Sequence, residues 1–368
     1  MLLGLASVLA AGCTRPATSP PATSPAGGRA DRATEVALRS VERHPPSQQP
    51  WRWETAILSL GLARLAEVDD GPWQERLAEH YAAHAPPRIR RPDDCAPAMA
   101  AALLLMRGDE RARPAVERVA EYLRQAPRNS LDALDHLDPR TALGRLYPAS
   151  IWVDSLVMYG LSAAWVGQAL DDPALVAFAH AQPAIFAAAL QDPSTGLFRH
   201  AYLHERGRTR PEGEVFWLRG NGWVALSLVE LLDTMEPGTA ERASTLAILR
   251  RLAEGLHAHR RVDGTWATVL DDRRAPLESS GTALAAYALA KGARQGVLPA
   301  WHRDEARQTL ATLERRLRAR RDGPVVASSS GPTIPGRRAA YVMVPRRSDV
   351  PYGVGAYLLL AAELRREP

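Results

Sequence analysis

The sequence predicts an all-α fold, and three features of its pattern lead to that prediction. From about residue 30 onward, long segments carry apolar residues at positions i, i+3, i+4 and i+7, which is the spacing of one helix face. Strict alternation of apolar and polar residues, typical of half-buried strands, is hardly found. Aromatic and charged residues gather at alternate joints between the predicted helices, whereas the other joints are short. We therefore expect a ring of helical hairpins with the longer loops on one face.

About twelve helices are predicted, and short gaps marked by Gly, Pro or Asp join many of them as hairpins. In chain order they cover residues 33–44, 53–66, 73–84, 94–107, 109–126, 151–168, 172–190, 220–235, 238–258, 279–295, 300–320 and 353–366. The short gaps include RGD at 107–109, DDP at 171–173 and MEPG at 235–238. The alternate joints hold WRWETA, DPSTGLFRHAY, FWLRGNGW, DGTWATVLDD and VPYGVGAY. Because functional side chains are commonly carried by loops on a rigid scaffold, we expect a site at these joints.

The first thirteen residues, MLLGLASVLAAGC, form an apolar run that is too short to span a bilayer as a helix. They resemble a bacterial lipoprotein signal that ends at a lipid-accepting Cys13, although no Lys or Arg stands before the apolar run. Residues 14–32 are rich in Pro, Ser, Thr and Gly and are predicted to be a disordered tether to a domain over 33–368. This order predicts an exported, periplasmic or cell-surface protein that is lipid-anchored to a bacterial membrane. The alternative is a misplaced start on a soluble protein.

Composition limits the size of the core and the kind of partner. The 368 residues are 46% hydrophobic, which is enough for a sizeable core. The net charge is +5, but arginines alternate with Asp and Glu in segments such as RGDERARPAVERVAEYLR, so no face presents a basic stripe to nucleic acid. Cys95 is the only cysteine after Cys13, which excludes a disulfide framework and a cysteine metal site. We expect no nucleic-acid partner, no metal and no cofactor.

The segment EVFWLRGNGWVAL at 214–226 places Arg219 between Trp217 and Trp223, with a Gly-Asn-Gly run beside it. A phosphate-binding loop is excluded, because neither G-x-x-x-x-G-K-[ST] nor G-x-G-x-x-G after a strand is present. A sugar acid suits these residues better, since its ring can stack on an indole while its carboxylate accepts from a guanidinium. The alternative is a helix-start turn in which the arginine covers packed tryptophans.

Carboxylates occur at the starts of two predicted helices. Asp154 follows Trp152 and precedes Met158, so it is either a helix-start charge favoured by the dipole or a group held in a dry pocket. Asp93 and Asp94 begin another helix, where an N-cap is the simpler interpretation. The residues alone leave the choice at Asp154 open.

Five segments of the chain carry a resemblance to a known family. In chain order these are WVDSLVMYGL, DPSTGLFRHAY, FWLRGNGWVALSLVELLD, GTWATVLDDRRAPLESSGTALAAYALAKGARQG and YGVGAYLLLAAEL. In this order and spacing they resemble the unsaturated glucuronyl and rhamnogalacturonyl hydrolases, glycoside hydrolase families 88 and 105. The resemblance runs from about Trp51 to Leu364. It implies an (α/α)6 barrel of six helical hairpins, which agrees with the predicted helix count.

The resemblance also implies roles for individual residues. Asp154 matches the family's general acid and base, and Asp94, or less favourably Asp93, matches its second active-site aspartate. The positions that match the wall of the sugar pocket are His200, Trp217, Arg219 and Trp223, with a looser match at Trp53. The motif positions that we expect to be structural are Glu278 and Ser279.

The implied protein is an enzyme whose substrate is an oligosaccharide ending in a 4,5-unsaturated uronic acid, the product of a polysaccharide lyase. Hydration of the C4=C5 enol ether would release the uronate, with Asp154 protonating C4 and Arg219 or His200 holding the carboxylate. This chemistry needs a neutral acid. We therefore expect burial beside Trp152 and a like charge at Asp94 to raise the pKa of Asp154.

One difference from the family leaves the identity of the leaving sugar undefined. Family members that act on rhamnogalacturonan fragments carry a histidine or an aromatic pair shortly before the acid, but here that segment is RTALGRLYPASIW, with Leu143 and Gly144 and no histidine. The alternatives are an (α/α)6 glycosidase acting on saturated sugars, a non-catalytic cell-surface sugar-binding lipoprotein and a helical partner-binding scaffold. The joint presence of Asp154 and Asp94 favours the enzyme.

Overall fold

The structure, a computed structural model, describes residues 31–138, 141, 144, 145 and 147–367. The chain divides into two units, Met1–Asp31 and Arg32–Pro368, and the fold below is that of the second unit. The predicted signal sequence with Cys13 and nearly all of the predicted tether lie outside the described residues.

Thirteen α-helices lie in the described residues, and twelve of them form two concentric rings. The inner helices are α2 (Trp53–Leu65), α4 (Ala98–Met106), α6 (Ser162–Ala169, preceded by the π-helix Leu156–Leu161), α8 (Leu218–Leu232), α10 (Ser279–Arg294) and α13 (Pro351–Arg365). The outer helices are α1 (Arg32–Arg43), α3 (Trp73–Ala83), α5 (Arg113–Gln125), α7 (Pro173–Leu190), α9 (Ala240–Ala258) and α11 (Trp301–Arg315). Each inner helix packs on the next, and α13 packs back on α2. This closed ring is the predicted (α/α)6 barrel.

Burial distinguishes the two rings. Every residue of α8 is buried, and its sequence LRGNGWVALSLVELL is apolar on nearly all sides. Helix α5 buries one face only, formed by Ala115, Val116, Val119, Ala120 and Leu123. An inner helix is therefore enclosed on all sides, whereas an outer helix packs one face on the ring and exposes the other.

Two glycines allow the ring to close. A Cβ atom at Gly355 of α13 would lie 2.1 Å from the carbonyl oxygen of Ile57 in α2, and a Cβ atom at Gly61 would lie 2.6 Å from the carbonyl oxygen of Gly355. Any larger residue would push the two backbones apart. The VPYGVGAY segment thus serves packing at this joint as well as any role in a site.

Seven short strands also lie in the described residues, and the sequence did not predict them. The three-stranded antiparallel sheet consists of β1 (Ile151–Trp152), β2 (Ala201–Leu203) and β3 (Arg208–Arg210). Two further pairs join β4 (Arg318–Arg320) to β5 (Gly323–Val325) and β6 (Ser329–Ser330) to β7 (Arg346–Arg347). The helices predicted over 151–168 and 300–320 were therefore too long, because β1 precedes the first and the second ends before β4. Such strands depend on pairing with distant segments, which periodicity within one segment cannot reveal.

A buried ion-pair cluster joins the C-terminal halves of three inner helices. Glu230 of α8 accepts a hydrogen bond from Nη2 of Arg64 in α2 at 2.6 Å and lies 2.7 Å from Nζ of Lys291 in α10. Lys291 also lies 2.8 Å from a carboxylate oxygen of Asp233. Burial raises the pKa of Glu230, but the charges of Arg64 and Lys291 outweigh burial and bring it to about 2.

By length and composition, α7 is the one helix of the described ranges that could cross a membrane. A single helix of this kind is weak support for a membrane span, because core helices of soluble proteins pass the same test. Here α7 packs on α6 and α9 as part of the outer ring.

Candidate active site

The loops that precede the inner helices contact one another at one face of the barrel. Nη1 of Arg219 donates to the carbonyl oxygen of Ser330 at 2.8 Å, and Nε1 of Trp51 donates to the carbonyl oxygen of Asp94 at 2.9 Å. The aromatic and charged joints of the sequence therefore share a face, as predicted. The N-terminal ends of the six inner helices also point to this face, and their dipoles favour a bound anion there.

Asp154 lies directly after β1, at the start of the helix that leads into α6. Its Oδ2 atom is 3.2 Å from Nε2 of His200, within ion-pair distance, and neither atom has a hydrogen-bond partner of good geometry in the described part of the chain. The sheet sets up this pair, because the amide of Val153 donates to the carbonyl oxygen of His200 at 2.9 Å. The His200 side chain is fully buried, whereas the Asp154 side chain remains 15% exposed. The carboxylate is thus held by a histidine and still open to a ligand.

The pKa values of this pair differ from the expectation based on the sequence. Burial raises the pKa of Asp154, but the hydrogen bond and charge of His200 outweigh burial, so the pKa lies below its ordinary value. Burial also lowers the pKa of His200, although its contact with Asp154 acts against burial. The predicted rise of the Asp154 pKa is therefore wrong for the free protein, in which Asp154 is ionised.

Asp93, rather than Asp94, is the buried carboxylate of the turn before α4. Asp94 accepts from the backbone amide of Arg90 at 3.0 Å and so holds its own loop. Asp93 is buried, and its Oδ1 atom lies 3.8 Å from Nε2 of His136. Burial raises the pKa of Asp93, and the negative charge of Asp154 also raises it, although His136 lowers it. The sequence offered Asp94 or, less favourably, Asp93 as the second active-site aspartate, and the burial of Asp93 favours the latter, because adjacent positions of the 3₁₀ turn point in different directions.

His136 is a site residue that the sequence interpretation missed. Its ring stacks on Trp152 with a centroid distance of 4.1 Å and an interplanar angle of 17°. Its Nδ1 atom lies 2.9 Å from Oγ of Ser155. The segment inspected for a histidine, 140–152, begins after His136, and its Leu143 lies outside the described residues. That segment has no histidine, as stated above, but the preceding segment DALDHLD contains His136, which the structure places beside Trp152.

His200 is held in one orientation by its neighbours. Its ring stacks on Trp217 at 4.4 Å with an interplanar angle of 30° and meets Trp152 edge-on at 5.5 Å. Its Nδ1 atom lies 2.9 Å from the hydroxyl of Tyr341, in the short helix α12 (Arg338–Val342) that the sequence did not predict. With one ring nitrogen at Tyr341, the other faces Asp154.

Arg219 is buried, and the protein itself occupies its guanidinium. Nη1 donates to the carbonyl and hydroxyl oxygens of Ser330 at 2.8 and 2.6 Å, and Nη2 donates to the carbonyl oxygen of Gly331 at 2.9 Å. The guanidinium carbon lies 4.8 Å from the ring centre of Trp217 and 5.1 Å from that of Tyr352. Only 1% of Arg219 is exposed. The structure does not offer Arg219 to a substrate carboxylate, and the packed-turn alternative describes it.

Glu278 and Ser279 stabilise the same region. Glu278 caps α10 by accepting from the amide of Ser280 at 3.1 Å, and it also accepts from the amide of Ser330 at 3.0 Å. It lies 3.8 Å from Nη1 of Arg219. Together Glu278 and Arg219 anchor the loop around residue 330 to the inner ring, which is the structural role expected for Glu278.

The three predicted tryptophans differ in accessibility. Trp217 and Trp223 are 2% and 0% exposed, and the indole nitrogen of each has no hydrogen-bond partner among the described residues. Trp53 is partly exposed, meets Trp223 edge-on at 6.4 Å and packs against Tyr352 at 5.1 Å. Trp53 therefore presents the open aromatic face, while Trp217 supports His200 from behind.

Two cavities open beside these site residues, and Asp154 does not line either of them. One, of about 350 Å³, is lined by Glu54 and Tyr352 next to Trp53. Burial raises the pKa of Glu54, and the charge of Asp93 also raises it. The other cavity, of about 450 Å³, is lined by residues of β3 and of the loop before α12.

A helical barrel that brings paired carboxylates, two histidines and aromatic rings to the N-terminal ends of its inner helices defines a glycoside hydrolase of the (α/α)6 type. The chain belongs to Glycosyl Hydrolase Family 88, whose family model matches residues 30–367. The resemblance predicted from the five sequence segments is thereby confirmed.

Two proteins similar to this chain are named as hydrolases of unsaturated saccharides. The chain is 25% identical over 353 residues to the unsaturated rhamnogalacturonyl hydrolase YesR of Bacillus subtilis, covering 91% of this chain and 95% of that protein. It is 28% identical over 149 residues to the unsaturated 3S-rhamnoglycuronyl hydrolase of an Alteromonas species, covering 40% of this chain and 36% of that protein.

Solved structures share the fold. A family 105 glycoside hydrolase from Clostridium acetobutylicum superimposes with a TM-score of 0.79 at 22% identity, covering 91% of this chain and 99% of that one. The unsaturated glucuronyl hydrolase of a Bacillus species gives a TM-score of 0.71 at 18% identity, covering 91% and 94%. The predicted barrel is confirmed by these likenesses.

Proposed function

We propose that this protein is an unsaturated uronyl hydrolase, which releases a 4,5-unsaturated uronic acid from the non-reducing end of lyase-generated oligosaccharides. The observation that carries the proposal is the pair of Asp154 and His200 beside the buried Asp93, where six helix N-termini favour an anionic sugar. The relatives named as rhamnogalacturonyl and rhamnoglycuronyl hydrolases support the same class of reaction.

The substrate determines what the acid must do. Its C4=C5 bond is conjugated to the carboxylate and joined to the ring oxygen, so it is an enol ether. Asp154 donates a proton to C4, and the cationic character left at C5 is shared by the ring oxygen. Water adds at C5 and gives its proton to the Asp154 carboxylate, after which the hemiketal opens and the next sugar leaves. No nucleophile attacks C1, in contrast to glycosidases that place two carboxylates at the anomeric carbon.

Asp154 acquires its proton when the substrate binds. In the free protein His200 keeps the pKa of Asp154 low. The uronate brings a second negative charge into a site from which water is excluded, and a like charge raises the pKa of a neighbouring carboxyl. Asp93, whose own pKa is raised by burial, is a further acid beside Asp154. The helix N-termini, and not Arg219, supply the attraction for the uronate carboxylate.

The first test is Asp154→Asn with oligosaccharides from lyase-digested pectin, ulvan and glycosaminoglycan. Turnover, followed as loss of the ultraviolet absorbance of the conjugated alkene, should fall at least ~10²-fold, the lower end of the usual contribution of a general acid. Asp94→Asn is the matched control and should keep most of the activity, because Asp94 holds the Arg90 loop. If Asp154→Asn kept the wild-type turnover, Asp154 would not be the general acid.

Isotopes distinguish hydration from displacement. In D₂O, deuterium should appear on C4 of the released uronate, and in ¹⁸O-water the label should enter at C5. Label at C1 with no deuterium at C4 would instead identify a glycosidase acting by ordinary displacement, whatever the fate of the Asp154 variant.

The N-terminal sequence supports a further part of the proposal, that the enzyme is exported and lipid-anchored at Cys13. Cys13→Ser should move the protein from the membrane fraction to the soluble periplasmic fraction, because it removes the lipid acceptor. Membrane retention without Cys13, or a cytosolic wild type, would refute the anchor.

A further inference from the structure

Two arginines in one cavity wall have no acidic partner. The cavity of about 450 Å³ is lined by Arg208, Arg210, Arg337 and Arg338 among others. Arg208 pairs with Glu212 at 2.7 Å, and Arg338 pairs with acidic residues of a neighbouring loop. Within the described ranges, neither Arg210 nor Arg337 forms an ion pair with a carboxylate. Two uncompensated positive charges therefore face this cavity.

The sheet register places Arg210 on the same face as Trp152, whose ring contacts His136 and His200. Trp152 pairs with Ala201, and Ala201 pairs with Arg210, so the three side chains lie in one row across the sheet. Two strand spacings separate Arg210 from Trp152, which is ~10 Å. The guanidinium of Arg210 lies 5.1 Å from the ring centre of Tyr147, and Tyr147 meets Trp152 edge-on at 5.2 Å. Arg210 is thus separated from Trp152 by about the length of a short oligosaccharide.

Arg337 reaches the same cavity from the other side. It follows Gly336, whose amide donates to the hydroxyl of Tyr341 at 3.3 Å. That hydroxyl lies 2.9 Å from Nδ1 of His200, the partner of Asp154. The cavity wall is therefore linked by direct contacts to the Asp154 pair through both arginine segments.

We propose that Arg210 and Arg337 bind an anionic group, either a sulfate ester or a carboxylate, on a sugar that follows the unsaturated uronate. This inference rests on the proposed function and extends it to the substrate class. A guanidinium binds such oxygens through paired, charge-assisted hydrogen bonds. A neutral departing sugar would need neither charge, whereas an anionic one would pair with both.

The test compares the double variant Arg210→Gln, Arg337→Gln on three unsaturated oligosaccharides that differ only in the sugar after the uronate. That sugar is neutral, sulfated or carboxylated. For the anionic substrate that the site accepts, kcat/KM should fall about 10- to 100-fold, mainly through KM. For the neutral substrate kcat/KM should stay at the wild-type value. Arg208→Gln is the matched control, because Arg208 lines the same cavity but is already paired with Glu212.

A second measurement needs no variant. The wild-type KM for the accepted anionic substrate should rise more steeply with salt than the KM for the neutral one, since exposed charges are screened. Equal losses on all three substrates, no loss on any, or identical salt dependence would overturn the inference. A wild type that consumes none of the alkenes would refute the proposed function instead, so the two failures are distinguishable.

Discussion

Replacing Arg219 by leucine tests whether the RGNGW arginine is structural or substrate-binding. The substitution removes three hydrogen bonds of 2.6 to 2.9 Å to Ser330 and Gly331, together with the ion pair of 3.8 Å to Glu278. All of these contacts are buried, since Arg219 is 1% exposed and Glu278 is 0% exposed. The variant therefore leaves the buried Glu278 carboxylate without its cation. The carbonyl oxygens of Ser330 and Gly331 each lose one donor but still accept from the hydroxyls of Tyr352 and Thr333.

The expected cost follows from these losses. Removing one partner of a buried ion pair costs ~3–5 kcal/mol, because the remaining charge stays desolvated. Each lost hydrogen bond costs ~1 kcal/mol, but these costs overlap with that of the ion pair because one guanidinium makes all of the contacts and both carbonyl oxygens keep another donor. Glu278 keeps its amide donors from Ser280 and Ser330. We therefore expect the free energy of unfolding to fall by about 3–5 kcal/mol in total.

Urea unfolding followed by tryptophan fluorescence measures this change. Arg76→Leu on the surface of α3 is the control, because Arg76 is half exposed and, among the residues that the structure describes, forms an ion pair with Glu79 alone, at 3.2 Å. That variant should change the free energy of unfolding by less than ~0.5 kcal/mol. If Arg219→Leu keeps wild-type stability while KM for the uronate rises strongly, then Arg219 binds substrate and the structural assignment is refuted.

Three further variants test the electrostatics. His200→Gln removes a group that lowers the pKa of Asp154, so Asp154 should stay protonated to higher pH. The alkaline limb of the pH dependence of kcat should therefore shift to higher pH, and an unchanged limb would contradict the pairing of Asp154 with His200. Asp93→Asn should lower turnover yet raise the free energy of unfolding at pH 7, because the folded pKa of Asp93 is raised and its ionised form is destabilising above the ordinary value of 3.8. Urea unfolding should show this gain vanishing below pH 3.8, and a stability loss at pH 7 would count against it. Lys291→Met leaves buried Glu230 with one cation fewer and should cost about 3 kcal/mol in urea unfolding without changing kcat per folded molecule. The folded pKa of Glu230 is lowered to about 2, so the difference should be full above pH 4.5 and shrink as the pH falls toward 2.

Most of the fold could be predicted because it depends on local periodicity. The segments that form α5 and α8 bury their apolar residues where the pattern places them. The short strands could not be predicted, since β1 exists only through its pairing with β2 about fifty residues later. The short helix α12 has five residues, too few for a periodic pattern.

The site was predicted in part for a similar reason. Asp154, His200 and Trp217 occur in motifs, and the structure brings them together. The choice between Asp93 and Asp94 depends on which side chain of a 3₁₀ turn faces the barrel, and spacing cannot resolve adjacent positions. Arg219 lies near the site, as its motif predicts. Whether it binds substrate or supports the fold depends on its contacts with the loop around Ser330, which is more than a hundred residues later in the chain.

The direction of the inner helices explains why Asp154 needs the negative charge of the substrate before it can be protonated. Asp93 and Asp154 each lie at the N-terminal end of an inner helix, α4 and α6, and a helix N-terminus stabilises an ionised carboxylate. The same dipoles that attract a uronate therefore oppose the protonation that C4 requires. His200 adds to this opposition in the free protein, as the lowered pKa of Asp154 shows. In the proposed mechanism a bound uronate reverses the balance, because its carboxylate competes for the same positive ends and places a like charge beside Asp154. The charge of the substrate would then activate Asp154 as the acid, in addition to its part in recognition.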